Sequence, residues 1–310
     1  WFHKNFRVVF PISIKSGIEI SELGLGCMSL GTEYHHAEEI IECAIENDIT
    51  YFDTADIYDR GVNEDIVGKS LKKYQNRDDI VIGTKVGNRP LNDGSTTWDP
   101  SKKYIKESVK SSLKRLGLEQ LDLYQLHGGT IDDPLDETIS AFDELKKEGV
   151  IKAYGISSIR PNVIEYYLKH SQIETIMSQF NLIDNRPERL LNHIHSHGVK
   201  VLARGPVFKG LLTSNSVNVL DQKFSDGIFD YNYHELGETI ASVKEVESNL
   251  SALSFEYLKS HDALGSIIVG ASSVSQLKDN IANFNKTVSL DQIKSARHRV
   301  KDLEYTQHLE

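Results

Sequence analysis

Four side chains with acid, phenol, amine and imidazole chemistry stand at or just beyond the ends of short apolar runs. Asp53 closes the run at residues 50–53 and is followed by Thr54-Ala55-Asp56-Ile57-Tyr58. Lys85 follows the run at 80–84, and His127 follows the run at 121–126. Each alone has an ordinary explanation: a turn cap for Asp53, core packing for Tyr58, a surface amine for Lys85, a loop imidazole for His127. Together they suit one reaction. A phenol is a weak acid near neutrality, with an ordinary pKa of about 10. A nearby lysine ammonium favours the phenolate and lowers that value. An aspartate paired with the lysine keeps it charged and aimed, and a histidine can hydrogen-bond the oxygen that receives the proton. The expected chemistry is proton transfer to a carbonyl oxygen during reduction.

That chemistry requires elements that bring the four to one rim. Short apolar runs bounded by Gly, Asp, Asn or Ser recur at residues 23–26, 50–53, 80–84, 121–126, 153–157, 175–179, 200–203 and 266–269. Such runs read as strands buried on both faces. Between them lie amphipathic segments with helical spacing, among them 38–47, 101–116 and 134–148. Pro100-Ser101 marks one helix start; Pro134 suits a first turn, and Gly149 suits the position after a last one.

Eight strand-then-helix units predict a parallel sheet closed into a single (β/α)8 barrel of the α/β class, with its chemistry on the carboxyl-terminal rim. An open doubly wound sheet would need a glycine-rich turn after its first strand. In Gly24-Leu25-Gly26-Cys27-Met28-Ser29 a serine stands where the third glycine would be. Residues 8–20 read as a hairpin around Ser16-Gly17 that plugs one end of the barrel. Residues 211–235 read as a long turn-rich loop after the seventh strand, and extra helices follow towards the carboxyl terminus. One domain is expected over 1–310, with no functional weight on residues 1–11.

Composition narrows the partners. The net charge of −10 disfavours nucleic acid and anionic membrane surfaces. No apolar run reaches the roughly 18 residues of a membrane span. Cys27 and Cys43, the only cysteines, sit in apolar segments and read as free buried thiols of a reducing, cytoplasmic setting. His193, His195 and His197 alternate by two, which spreads them around a helix, so no metal site is expected.

The segment Phe52-Asp53-Thr54-Ala55-Asp56-Ile57-Tyr58, with Glu64 and Gly68, resembles the first signature of the aldo-keto reductases. Gly83-Thr84-Lys85, Leu113-Lys114-Arg115-Leu116, Leu121 through His127, and Gly149 through Ser157 resemble further segments of that family, in its order. The resemblance implies reduction of an aldehyde or ketone by hydride from NADPH, with NADH as the alternative donor. Tyr58 would be the general acid, Lys85 its tuner, Asp53 the lysine's partner, and His127 the orienting group. It further implies that Met28 and Asp53 bind the cofactor and that Ser157, Ser158 and Gln179 hold the nicotinamide carboxamide. Arg204, Gly205, Pro206, Lys209 and Gly210 would face the ring and pyrophosphate, and Gly270, Ser272, Gln276 and Asn280 the adenosine and its 2′-phosphate.

Several positions depart from the family pattern. Ser158 stands where asparagine is common, Arg204 where an aromatic ring often stacks, and Gln276 where some members carry arginine. Asp59 follows Tyr58 in place of a frequent glycine. Gly128-Gly129 after His127 replaces a bulky aromatic and suggests an open pocket wall. Two other functions compete: a lyase using Lys85 as a Schiff-base amine, and a nicotinamide-binding redox sensor or regulatory subunit.

Overall fold

The computed structural model describes residues 11–310. Residues 1–10, which include the first part of the expected hairpin and most of the segment given no functional weight, lie outside the described residues.

Eight parallel strands close into a ring in chain order: β1 (Leu23–Gly26), β2 (Tyr51–Asp53), β3 (Val81–Val86), β4 (Leu121–Leu126), β5 (Ile151–Ser157), β6 (Thr175–Gln179), β7 (Lys200–Arg204) and β8 (Leu264–Gly270). β8 pairs with β1 to complete the barrel, Val269 lying opposite Leu25. β3 and β4 are buried along their whole lengths, as strands covered on both faces must be.

The lumen holds Tyr51, Val81, Leu123, Ala153, Met177, Leu202 and Ile268. Tyr51 fills much of it, and two glycines make room. A methyl group at Gly24 would fall 2.8 Å from Tyr51 Cδ1, and one at Gly83 would fall 2.5 Å from Tyr51 Oη. The amino-terminal end is plugged as expected. Ile12–Ser13 pairs antiparallel with Glu19–Ile20 across a turn with Gly17 at φ 83°, and Ile14 and Ile20 join the lumen cluster. The turn is held from outside: Glu174 accepts from Ser16 N at 2.7 Å and pairs with Lys146 at 2.8 Å.

The outer layer packs the strands against helices α1 (Tyr34–Glu46), α2 (Val62–Leu71), α3 (Lys102–Leu116), α4 (Leu135–Lys147), α5 (Pro161–His170) and α6 (Glu188–Ser196). Ile40, Ile41 and Ala44 of α1 and Ile105, Val109 and Leu116 of α3 are buried at helical spacing. Each large aliphatic side chain so buried contributes about 1.5–3 kcal/mol. Ser101 Oγ caps α3 by accepting from Tyr104 N, and left-handed Gly117 ends it. Pro134 is the residue before α4 rather than its first, and Gly149 follows its end at φ 74°.

The 211–235 segment is not a loop throughout. It contains α7 (Ser216–Lys223) and the start of α8 (Tyr233–Val246). Only Ser216 and Val219 of α7 are buried, too few for a helical period to show. α7 is fixed from outside by Tyr233 Oη to Asp221 at 2.6 Å and Lys244 to Ser216 at 2.6 Å. α9 (Leu250–Lys259), α10 (Val274–Phe284) and α11 (Leu290–Arg299) complete the chain, α11 being the expected addition beyond the repeating units.

Candidate active site

The four side chains meet at the carboxyl-terminal rim. Asp53 ends β2, Lys85 is the penultimate residue of β3, and His127 follows β4. Tyr58 arrives on a helical turn, Tyr58–Gly61, held by Tyr58 N to Ala55 O and Asp56 N to Lys85 O, both 3.2 Å. Lys85 is 1% exposed. Its ammonium donates to Asp53 Oδ2 at 2.5 Å and to Thr54 O at 2.8 Å, and lies 5.2 Å from the centre of the Tyr58 ring. The Tyr58 and His127 rings meet edge to face, centres 5.9 Å apart.

Charge states follow from these contacts. Burial alone would lower the Lys85 pKa, but the Asp53 carboxylate and the Tyr58 oxygen hold it above its ordinary value. Burial pushes the Tyr58 phenol up, and the Lys85 ammonium pulls against it without prevailing. The lysine acts in the expected direction, but burial makes the net shift upward. His127 is driven down to about 3 by burial and by the Lys85 and Arg204 cations, so it is neutral at pH 7. Its Nδ1 is buried with no hydrogen-bond partner.

Further groups, some of them within the quoted segments but without an expected role, support these four. Asp53 Oδ1 accepts from Tyr51 Oη and Gln125 Nε2, each at 3.3 Å. Gln125 lies two residues before His127, hence on the same strand face, and a polar amide at that spacing is a readable signal. Beneath the Tyr58 turn, fully buried Glu64 accepts from Thr84 Oγ1 at 2.5 Å and Arg115 Nε at 2.6 Å. Asp56 accepts from Ser108 Oγ at 3.1 Å, and burial together with Glu64 raises its carboxyl to about 7. Asp59, where glycine is frequent, occupies the left-handed region at φ 47°, and Arg60 follows at 53°.

The expected open wall beside His127 is filled from another segment. A ribbon of Asn88–Pro90 and Thr96–Trp98 follows β3. It sets Trp98 3.6 Å from where side chains at Gly128 and Gly129 would begin. Trp98 Nε1 donates to Asp133 Oδ2 at 3.0 Å. The glycines admit an aromatic ring rather than leave a gap, and nothing local to residues 127–129 signals it.

A cleft of about 1140 Å3 opens beside Asp53 and Tyr58. Met28, Gln179, Arg204, Gly205, Pro206, Lys209, Gly210, Gly270, Ser272, Gln276 and Asn280 all line it. Lys85 and His127 are outside that lining, as are Ser157 and Ser158. Ser158 Oγ accepts from Arg160 N, and Ser158 O accepts from Ser178 Oγ. The cleft also recruits Asn215, Lys223 and Asn249. The first two come from the turn-rich segment 211–235, and Asn249 caps α9. At the far end Ser273 caps α10 by accepting from Gln276 N at 3.1 Å, while Gln276 Oε1 accepts from Ser272 N at 2.8 Å. The donors present, namely Lys209, Lys223 and a helix amino terminus, fit an elongated anion such as a dinucleotide. Among the described residues no cluster could hold a metal ion. His193 instead bonds Glu165, and His197 bonds His193 O. No described helix is long and apolar enough to cross a membrane.

Residues 22–299 match the model of the Aldo/keto reductase family. The chain is similar to the oxidoreductase YqkF of Bacillus subtilis (strain 168), 50% identical over 94% of this chain and 97% of that one. It is 26% identical to the NADH-specific methylglyoxal reductase of Escherichia coli (strain K12), over 88% of this chain and 92% of that one. Its structure resembles the holo form of aldo-keto reductase AKR11C1 from Bacillus halodurans, with a TM-score of 0.88 and 45% identity over 97% of this chain and 98% of that chain.

Proposed function

The chain belongs to the aldo/keto reductase family, and from that premise we propose that it reduces an aldehyde or ketone to the alcohol with NADPH, NADH being the alternative donor. The observation that carries the reading is the buried Asp53–Lys85 pair set against Tyr58 and His127 beside the cleft. Tyr58, protonated at neutral pH, gives its proton to the carbonyl oxygen. The Lys85 ammonium stabilises the phenolate left behind, and Asp53 keeps that ammonium in place. Neutral His127 hydrogen-bonds the carbonyl oxygen and fixes its direction. When bound, the reduced nicotinamide supplies hydride to the carbonyl carbon.

Met28, Ser157, Ser158 and Gln179 are assigned to the nicotinamide side, Arg204 through Gly210 to the ring and pyrophosphate, and Gly270, Ser272, Gln276 and Asn280 to the adenosine side. Lys209, Lys223 and the amino terminus of α10 support binding of phosphates. Gln276 in place of arginine and the nearby Asp279 weaken selection for the 2′-phosphate. The charged state of Lys85 argues against a lyase, because Schiff-base formation needs a free amine. The buried free thiols Cys27 and Cys43 support a reducing, cytoplasmic setting.

The test is 4-nitrobenzaldehyde reduction followed by loss of nicotinamide absorbance, with NADPH and with NADH. Tyr58→Phe should lower kcat by on the order of 10²–10⁴-fold while cofactor binding survives. Equal turnover in the variant rejects Tyr58 as the acid. Cofactor binding without turnover across aldehydes and ketones moves the assignment to a redox sensor. The NADPH-to-NADH ratio of kcat/KM decides the 2′-phosphate assignment.

A further inference from the structure

The segment after β6 ties three distant parts of the rim together. Asn181 Nδ2 donates to Gly205 O at 3.0 Å, and Asn185 bonds Lys301 O and Leu303 N, each at 2.9 Å. Between them sits Asp184, fully buried. Its Oδ2 accepts from Gln179 Nε2 at 2.7 Å and from Arg186 Nη2 at 3.0 Å, and its Oδ1 from Arg186 Nε at 2.7 Å. A carboxylate only accepts, so the amide nitrogen of Gln179 must turn towards Asp184. That leaves Gln179 Oε1 as an acceptor on the cleft side, where Arg204 is 3.5 Å away.

The other face of Arg186 is clamped by two rings. Its guanidinium lies 4.1 Å from the centre of Phe229 and 4.9 Å from that of Tyr305. Phe229 stands at φ 53° in a tight turn closed by reciprocal bonds between Ile228 and Tyr231. A bulky residue rarely adopts that conformation, and it persists only where its surroundings hold it. Here the ring is held by Arg186 and by Phe208, itself at φ 46°, with centres 6.0 Å apart. Tyr305 Oη is buried with no partner. The strained turn, the carboxyl-terminal segment and a cleft-facing amide therefore share one guanidinium.

We propose that Arg186, acting through Asp184, is a positioning residue that couples the orientation of Gln179 to the Phe229 turn and the Tyr305 segment. The inference rests on the reading that Gln179 faces a nicotinamide cofactor. Arg186→Lys keeps the charge but loses the two-pronged bond and the planar stack. Phe229→Gly removes the ring at a position where glycine is unstrained. Cofactor affinity is read without turnover, from fluorescence of bound NADPH and NADH, alongside melting temperature and the KM and kcat for 4-nitrobenzaldehyde.

Arg186→Lys should weaken cofactor binding about tenfold. Phe229→Gly should weaken it several-fold and raise the aldehyde KM while sparing kcat. The double variant should lose less than the product of the single effects, with the melting temperature confirming that each variant is folded. Unchanged affinity in Arg186→Lys, or independent effects in the double variant, overturns the coupling while leaving the reductase reading intact. An unsubstituted protein that binds neither cofactor overturns both.

Discussion

At the amino-terminal end of the barrel, Ile14 and Ile20 fill the lumen and Glu174 answers both Ser16 N and Lys146, although Thr175 Oγ1 at the start of β6 is buried without a partner. At the carboxyl-terminal end, buried polar atoms are left over: Asp56 Oδ1, Gln125 Oε1, His127 Nδ1 and Tyr305 Oη. Backbone strain is divided in the same way. Asp59, Arg60, Phe208, Lys209 and Phe229 hold positive φ on the loops of the catalytic end. Asp48 does so at the other, and Asp is a residue type that tolerates that conformation at 48 as at 59. The carboxyl-terminal end keeps more unmet hydrogen-bonding capacity and more backbone conformations that cost about 1–3 kcal/mol each. The carboxyl-terminal end therefore gives up stability that the plugged end keeps.

Asp53→Ala should break this division most severely. It strands the Lys85 ammonium in the barrel, with an expected cost of about 3–5 kcal/mol together with loss of turnover, read by urea denaturation and aldehyde reduction. Ile20→Ala at the plug should cost about 2–5 kcal/mol and leave kcat unchanged. A fall in kcat as large as that of Asp53→Ala would show that the two ends are not separable.

Titration sharpens the contrast. The buried Asp56 carboxyl, with a folded pKa of about 7 against roughly 4 unfolded, loses stability as pH rises between those values. Asp56→Asn should therefore stabilise the chain at pH 8.5, by on the order of 2 kcal/mol, and change little at pH 4. His127 has the opposite sign. Its folded pKa is about 3 against roughly 6.5 unfolded, so stability falls as pH drops through that window, and His127→Asn should remove the loss. Melting temperature against pH reads both. The smallest effect should come far from either end. Ser289 closes a capping box at α11, so Ser289→Ala should cost about 1 kcal/mol without altering the KM for the aldehyde.

The barrel was legible because each strand is a short apolar run ended by a polar or small residue, and strand periodicity places such ends on one rim. Asp53, Lys85 and His127 were readable for that reason, and Tyr58 by its place in the turn after β2. What escaped depends on side chains meeting across the fold. Trp98 reaches Gly128 and Gly129 from a ribbon about thirty residues earlier. Asp184 and Arg186 take their meaning from Gln179, Phe229 and Tyr305. The direction of the Tyr58 shift escaped because burial, which cannot be read from residue types, outweighs the lysine. α7 escaped because a short helix with so little buried surface has no visible period.

The ring is sealed by its first and last strands, with Ser266 Oγ bonding Ser21 O across 245 residues. Asp53, Tyr58, Lys85 and His127 all leave the ribosome in the first half of the chain, whereas Gln179, Arg204 and the α10 segment come in the second. A nascent chain thus carries all four of these side chains long before it has the last wall of its cleft. Closure across so long a loop is slow to form, so the cleft gains its last wall only when the final strand docks.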